Sequence, residues 1–321
     1  MKVSLDGGAF CANRESRFGN YIFSLNLIQA LDAFDRENHY SIYSFCEKPN
    51  ELKLQDKTIY KQLAPRKLWM QFRVSLEERV NKQDVFLALN QAIPSTSARI
   101  ITFSHGLSFH YYKNLYPDSY DSLIRQLRIM NERSAYIVVS SEKVKKEFES
   151  ILQNDARIVI IPFGVPLDFL TYSKKKRKKY FLYVGMKHPV KNPEFMAKAF
   201  SEFKKDSHFK NYELIQVEKS KLSRRELRAL YQEAAGYLTT SLYESFNFPV
   251  LEALSQNCPV VGLRSAIIPE FDDFVTIADN MQDFVSAMKE IASGSSKTID
   301  RTKLKKKFSW QTYVKKLTKL Y

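Results

Sequence analysis

Glycine and proline are scarce, at nine and eleven residues in 321, so each glycine is expected where the backbone needs it. Cysteine is scarcer still: Cys11, Cys46 and Cys258 are odd in number and far apart. That excludes a disulfide framework or a zinc site and leaves free core thiols in a reducing compartment as the expectation. No apolar run reaches membrane-spanning length and no basic-then-apolar leader opens the chain, so a cytoplasmic protein with at most peripheral membrane contact is expected. No Asp-x-Asp-like pair sits at a strand end, and no metal site is expected. Acidic residues are outnumbered, 35 to 50, for a net charge of +15. Such a balance suits nucleic acid, an anionic membrane or an anionic small substrate. Much of the excess lies in two short clusters, Lys174–Lys179 and Lys303–Lys307. Blocks of this kind read first as solvated linkers or surfaces, with membrane or nucleic-acid contact second. No specific nucleic acid is expected.

What is present is enough apolar (44%) and aromatic (13%) residue for two ordinary domains with real cores, which excludes intrinsic disorder. Strand-like and helix-like segments alternate from end to end, the pattern of doubly wound parallel sheets. Strands are expected at 2–5, 40–45, 84–89, 99–103, 136–140 and 157–161, with helices at 20–33, 67–80, 120–135 and 142–152. A second series starts at Tyr180–Val184. Its helix signals are an Asn192-Pro193-Glu194 start and a Ser223–Glu226 capping box. The boundaries drawn are a first domain over 1–170, a second over 171–308, and a terminal helix over 309–321. In the helix over 67–80, Trp69, Phe72 and Leu76 read as core packing, with membrane or acceptor contact as the alternative. Trp310 reads as packing.

The densest chemistry lies in Tyr237–Glu270, which reads strand, loop, helix, strand. Glu244 falls in the loop and Pro249 opens the helix, where its missing N–H costs nothing. The backbone N–H groups of Ser245, Phe246, Asn247 and Phe248 then lie at a positive helix end, where a diphosphate would dock. Glu252 lies one turn in, where its carboxylate could take both hydroxyls of a ribose, and Glu244 could grip sugar hydroxyls beyond the phosphates.

The two acids eight positions apart, in this order of elements, resemble the Glu-x7-Glu motif of retaining glycosyltransferases of the GT-B fold, especially family 4. The resemblance extends over nearly the whole chain: "YFLYVG" with Lys191-Asn192, "YIVVSSEKVKKEF", "IVIIPFGV", "ITFSHG" and the terminal "FSWQTYVKKLTKLY". It implies two Rossmann-like domains facing across a cleft, the donor nucleotide on the second, the acceptor mostly on the first, and the terminal helix crossing back to the first. It further implies a sugar moved from a nucleotide-diphosphate sugar, such as a UDP- or GDP-sugar, to a glycan or other acceptor, without a cofactor.

Role by role, the resemblance implies that Lys191 neutralises the diphosphate, Glu252 holds the ribose and Glu244 the transferred sugar. His105 would face the anomeric centre, with His110 as its local competitor. Gly185, Gly19 and Asn20 would bring backbone close to phosphates or acceptor. The pattern departs at the arginine that usually neighbours the lysine, where Met186 and Val190 stand; Lys187, His188 and Arg264 are the candidates to replace it. The loop reads Glu244-Ser245-Phe246-Asn247 rather than Glu-Gly-Phe-Gly, and Asn is the residue that tolerates left-handed angles. His105 is followed by Gly106 rather than by an acid. Two other functions remain open at this point: a sugar-nucleotide epimerase on the same fold and a non-catalytic basic binding protein.

Overall fold

The computed structural model describes residues 1–13, 17, 19–152, 157–186, 188–217 and 222–321. Contacts divide the chain into two compact units, Met1–Phe163 with Trp310–Tyr321, and Gly164–Ser309. The strands of the first unit are β1 (Lys2–Asp6), β2 (His39–Ser44), β3 (Thr58–Gln62), β4 (Val85–Ala88), β5 (Arg99–Ser104), β6 (Tyr136–Val139) and β7 (Ile158–Ile160). They form one parallel sheet in the order β3-β2-β1-β4-β5-β6-β7. Central strands such as β4, VFLA, are buried along their whole length, as parallel strands covered on both faces must be. The helices are α1 (Gly19–Phe34), α2 (Ser75–Val80, entered through a π-helical turn Met70–Val74), α3 (Ser108–Tyr111), α4 (Tyr120–Arg133) and α5 (Glu142–Leu152).

The second unit has β8 (Tyr180–Val184), β9 (Glu213–Val217), β10 (Gly236–Thr239), β11 (Val260–Leu263) and β12 (Thr276–Ala278). This sheet is parallel too, ordered β12-β11-β10-β8-β9. Its helices are α6 (Pro193–Lys204), α7 (Arg224–Glu233), α8 (Phe248–Ser255), α9 (Met281–Ala292) and α10 (Arg301–Lys307). The Ser223–Glu226 capping box is formed in full at the start of α7. The last helix, α11 (Trp310–Leu317), belongs to the first unit. There Trp310 and Tyr313 each place a ring 6.3 Å from that of Phe23 on α1.

Several expectations are corrected. Cys11 and Cys46 are joined by a disulfide rather than free, because the loops after β1 and β2 lie side by side; Cys258 alone is a free, buried thiol. The basic run Lys174–Lys179 is exposed along its length, as a solvated segment should be, and lies inside the second unit. Lys175 and Lys178 pair with Glu233 at 3.0 and 2.5 Å, and Arg177 donates to the carbonyls of Ala234 and Asn257. The Lys303–Lys307 cluster is helical, capped by Asp300, whose carboxylate accepts from the N–H groups of Thr302 and Lys303. Phe72 and Leu76 are exposed rather than packed in the core, while the Trp69 ring lies 5.4 Å from that of Phe45.

Candidate active site

In the second unit, β8 and β10 are neighbours, yet the chain leaves β8 toward β9 on one side and continues from β10 toward β11 on the other. Open α/β sheets bind ligands at such a reversal, outside the carboxyl ends of the strands. Two loops meet there. The Thr240 hydroxyl donates to the carbonyls of Lys191 and Asn192 at 3.1 and 3.2 Å, and the Leu242 N–H to the Val190 carbonyl at 2.8 Å. Lys191 and Glu244, 53 positions apart in sequence, are thereby brought together, with Nζ 2.5 Å from Oε1. The Ser241 hydroxyl donates to the same oxygen at 2.7 Å. Both side chains are largely shielded, 20% exposed for Lys191 and 13% for Glu244, so the pair is screened less than a surface ion pair.

Beside this pair lies a pocket of about 730 Å³, lined by Tyr183, Gly185, Met186, His188, Lys191 and Gln216 among others. Its size suits a small-molecule ligand. The Gly185 N–H donates to the Val217 carbonyl at 3.1 Å, continuing the β8–β9 ladder, so Gly185 offers the pocket its bare surface rather than a donor. Asn192 precedes α6 in the left-handed region, φ 52°, and its side chain makes no capping bond. At this helix start, which the sequence signals, it serves as a turn residue and not as a side-chain cap. Of the candidates for the absent arginine, His188 lines the pocket and accepts the Val190 N–H on Nδ1 at 3.2 Å. Arg264 is bonded to Asp272 at 3.0 Å. Lys187 lies outside the described residues.

Asn247 adopts the left-handed conformation, φ 69°, immediately before α8. Its amide donates to Thr239 Oγ1 and the Ala266 carbonyl at 3.2 and 3.1 Å. An asparagine thus fills a position where the resembling family places glycine, and its side chain fixes the turn. Phe246 and Phe248 are buried, the Phe246 ring 5.4 Å from that of Phe271 and 6.0 Å from that of Phe308. Their side chains are core, and only their backbone could serve a ligand. Ser245 is half-buried between Glu244 and this aromatic group.

Glu252 stands apart from the pocket. Its residue is fully buried, and its carboxylate accepts from Arg224 Nη1 at 2.8 Å and from the Tyr231 hydroxyl at 3.2 Å. Arg224, at the start of α7, also forks onto Asp168 at 2.7 and 3.1 Å and lies 4.4 Å from the Phe169 ring centroid. The sequence reading missed Arg224, Asp168 and Ser241. Arg224 sits inside the capping box, a signal for a helix start that says nothing of its side chain.

The first unit has its own reversal, between β1 and β4. Buried Asp6 joins the loops there, accepting from the N–H groups of Gly8 and Asn90 at 2.8 and 3.0 Å. Burial raises its carboxyl above the usual range. A Cβ on Gly7 would strike the Tyr43 carbonyl oxygen at 2.8 Å, which is why glycine is needed there. His105, directly after β5, holds the Leu89 carbonyl with Nε2 at 2.7 Å and meets the Phe23 ring edge-on at 5.2 Å. Burial lowers its imidazole below the usual 6.5. Gly106 follows at φ 103°, a backbone angle that favours glycine. His110 is exposed on α3. Gly19 and Asn20 form the exposed start of α1, and a Cβ on Gly19 would meet nothing within 4 Å. Among the described residues, no group of three His, Cys, Asp or Glu side chains could hold a metal ion.

No protein-family model matches the chain. A curated relative from Thermosipho melanesiensis, described as "Probable sucrose-phosphate synthase", is 23% identical over 234 residues, which cover 60% of this chain and 55% of that protein. The chain therefore matches little more than half the length of this relative. Sucrose-phosphate synthase from Thermosynechococcus elongatus superposes with a TM-score of 0.74 at 15% identity, over 100% of this chain and 98% of that one. Anabaena HepE, in complex with UDP and glucose, superposes with a TM-score of 0.68 at 11% identity, over 99% of this chain and 98% of that one. The fold is thus that of GT-B glycosyltransferase structures, built from two parallel-sheet Rossmann-like units.

Proposed function

We propose that this chain is a retaining glycosyltransferase of the family 4 type, moving a sugar from a nucleotide-diphosphate sugar to a glycan or other acceptor. The observation that carries the reading is the Lys191–Glu244 contact beside the pocket at the β8/β10 reversal. A cation and a carboxylate there match the two parts of such a donor. Lys191 would neutralise the diphosphate through charge-assisted hydrogen bonds. Glu244, steadied by Ser241, would accept from hydroxyls of the transferred sugar. UDP in the Anabaena complex supports a uridine diphosphate donor as the first to test.

Glu252 would accept from the ribose hydroxyls. For that its carboxylate must be uncovered, which requires breaking its bonds to Arg224 Nη1 and the Tyr231 hydroxyl. His105, neutral at neutral pH, is assigned to the transfer step rather than to donor affinity. Transfer would run on one face of the sugar. The C1–O bond to the diphosphate breaks as the acceptor oxygen bonds to C1, and the departing phosphate oxygen takes the acceptor proton. The protein then contributes positioning and charge stabilisation.

A thermal-shift screen with UDP-, GDP-, ADP- and CDP-sugars tests the donor. The true donor should raise the melting temperature, since a ligand at about a hundred times its Kd adds about 2.7 kcal/mol. It should also release nucleoside diphosphate when an acceptor is supplied, giving a product of unchanged anomeric configuration by NMR. No shift with any of the four would overturn the proposal.

A further inference from the structure

The helical segment between β3 and β4 has two faces of opposite character. Inward it buries Met70, Val74, Ser75 and Glu78. The Glu78 carboxylate accepts from the hydroxyls of Ser4 and Thr96 at 2.7 and 2.6 Å. Outward stand Phe72, Leu76 and Val80, 65%, 53% and 71% exposed, with Leu68 at 51% ahead of them. Phe72, Leu76 and Val80 recur at every fourth residue of the helical segment, roughly 12 Å end to end at ~1.5 Å of rise per residue, with Leu68 in the turn before it. A lone exposed leucine is ordinary, whereas a contiguous row of large apolar side chains marks an interaction surface.

The surroundings of the stripe are cationic. Arg66, Lys67, Arg73, Arg79 and Lys82 are all exposed along the same segment. Of its two acids, Glu78 is buried and Glu77 is bound to Lys61 at 2.6 Å. Apolar side chains flanked by cations complement a layer of anionic headgroups over acyl chains. A nucleic acid would match the cations and leave Phe72, Leu76 and Val80 without a role. We propose that this face of the first unit docks on an anionic lipid surface, with Phe72, Leu76 and Val80 entering the acyl boundary and the cations meeting headgroup phosphates. The contact would lie in the interface plane; no helix among the described residues is long and apolar enough to cross a membrane.

Sedimentation of the full chain with vesicles tests this directly, comparing pure phosphatidylcholine with an equimolar mixture containing phosphatidylglycerol. The chain should bind the mixed vesicles and leave the neutral ones. Phe72→Ser and Leu76→Ser should each weaken partitioning about tenfold or more, the value of withdrawing one large apolar side chain from lipid. Arg73→Gln and Arg79→Gln should each weaken it about fivefold at low salt. Absence of binding to the mixed vesicles, equal binding to both kinds, or unchanged binding of Phe72→Ser would each overturn the proposal. So would retention on an oligonucleotide, or self-association lost in Phe72→Ser, if vesicles are ignored. These side chains lie in the first unit and the donor pocket in the second, so donor-binding measurements judge the glycosyltransferase reading separately.

Discussion

Glu252→Gln should lower the stability of the second unit by about 2–3 kcal/mol. Glu252 is fully buried, and its carboxylate receives Arg224 at 2.8 Å and the Tyr231 hydroxyl at 3.2 Å. Glutamine keeps the shape and one acceptor oxygen but removes the charge that balances Arg224. Breaking a fully buried pair from one side costs about 3–5 kcal/mol. The lower figure applies because the Arg224 side chain is 30% exposed and keeps its fork onto Asp168. At about 2–4 °C per kcal/mol for a unit of this size, the melting transition should fall by about 4–12 °C. Calorimetry reads it, with the second unit's transition recognised by its response to donor. Binding of nucleoside diphosphate, measured well below the new transition, should weaken as well if Glu252 meets the ribose. A melting temperature indistinguishable from wild type would mean that the Arg224–Glu252 pair does not hold the second unit together, whatever happened to binding.

Glu244→Gln should leave binding of bare nucleoside diphosphate nearly unchanged while impairing the sugar nucleotide or its turnover; equal loss on both ligands, by calorimetric titration, would contradict its role. Asn247→Ala should cost about 1 kcal/mol more stability than Asn247→Gly by denaturant titration, because both lose the bonds to Thr239 and Ala266 and only alanine resists φ 69°. The reverse order would be inconsistent with a left-handed turn. The imidazole of His105 is depressed by burial below 6.5, so as pH falls below that value the unfolded chain takes up the proton first. The stability contributed by the neutral imidazole is thus full above about pH 6.5 and declines on acidification; His105→Gln should flatten this part of the first unit's profile, and an unchanged slope would contradict it. The same variant should lose about 10²–10⁴ in turnover with donor affinity retained. Normal turnover would remove His105 from the transfer step.

The sequence and the structure agree where local signals are strong. β8 and α5 have the limits that their apolar patterns suggest, and the capping box of α7 reads directly from Ser223 and Glu226. β3, TIYKQ, was invisible because a half-exposed edge strand carries no apolar run. The pairing of Lys191 with Glu244 was legible only through the motif, since the two lie 53 positions apart and meet through strand order. The closed cluster around Glu252 was not legible at all. Arg224 lies 28 positions from Glu252 and 56 from Asp168, and no periodicity encodes such contacts. Phe72 and Leu76 were misread because helical spacing alone does not tell an inward from an outward face; Met70, Val74 and Glu78 take the inward one.

Isothermal titration of the nucleoside diphosphate into wild type and Lys191→Ala decides whether the pocket at the β8/β10 reversal takes the diphosphate. Lys191 is the cation that the β8/β10 reversal brings to the pocket, and a charge-assisted bond to phosphate contributes about 1–3 kcal/mol. Wild type should bind measurably, with affinity weakened about five- to 150-fold in the variant when both are titrated well below their melting transitions. Equal dissociation constants for the two proteins would place the diphosphate elsewhere and remove Lys191 from the site.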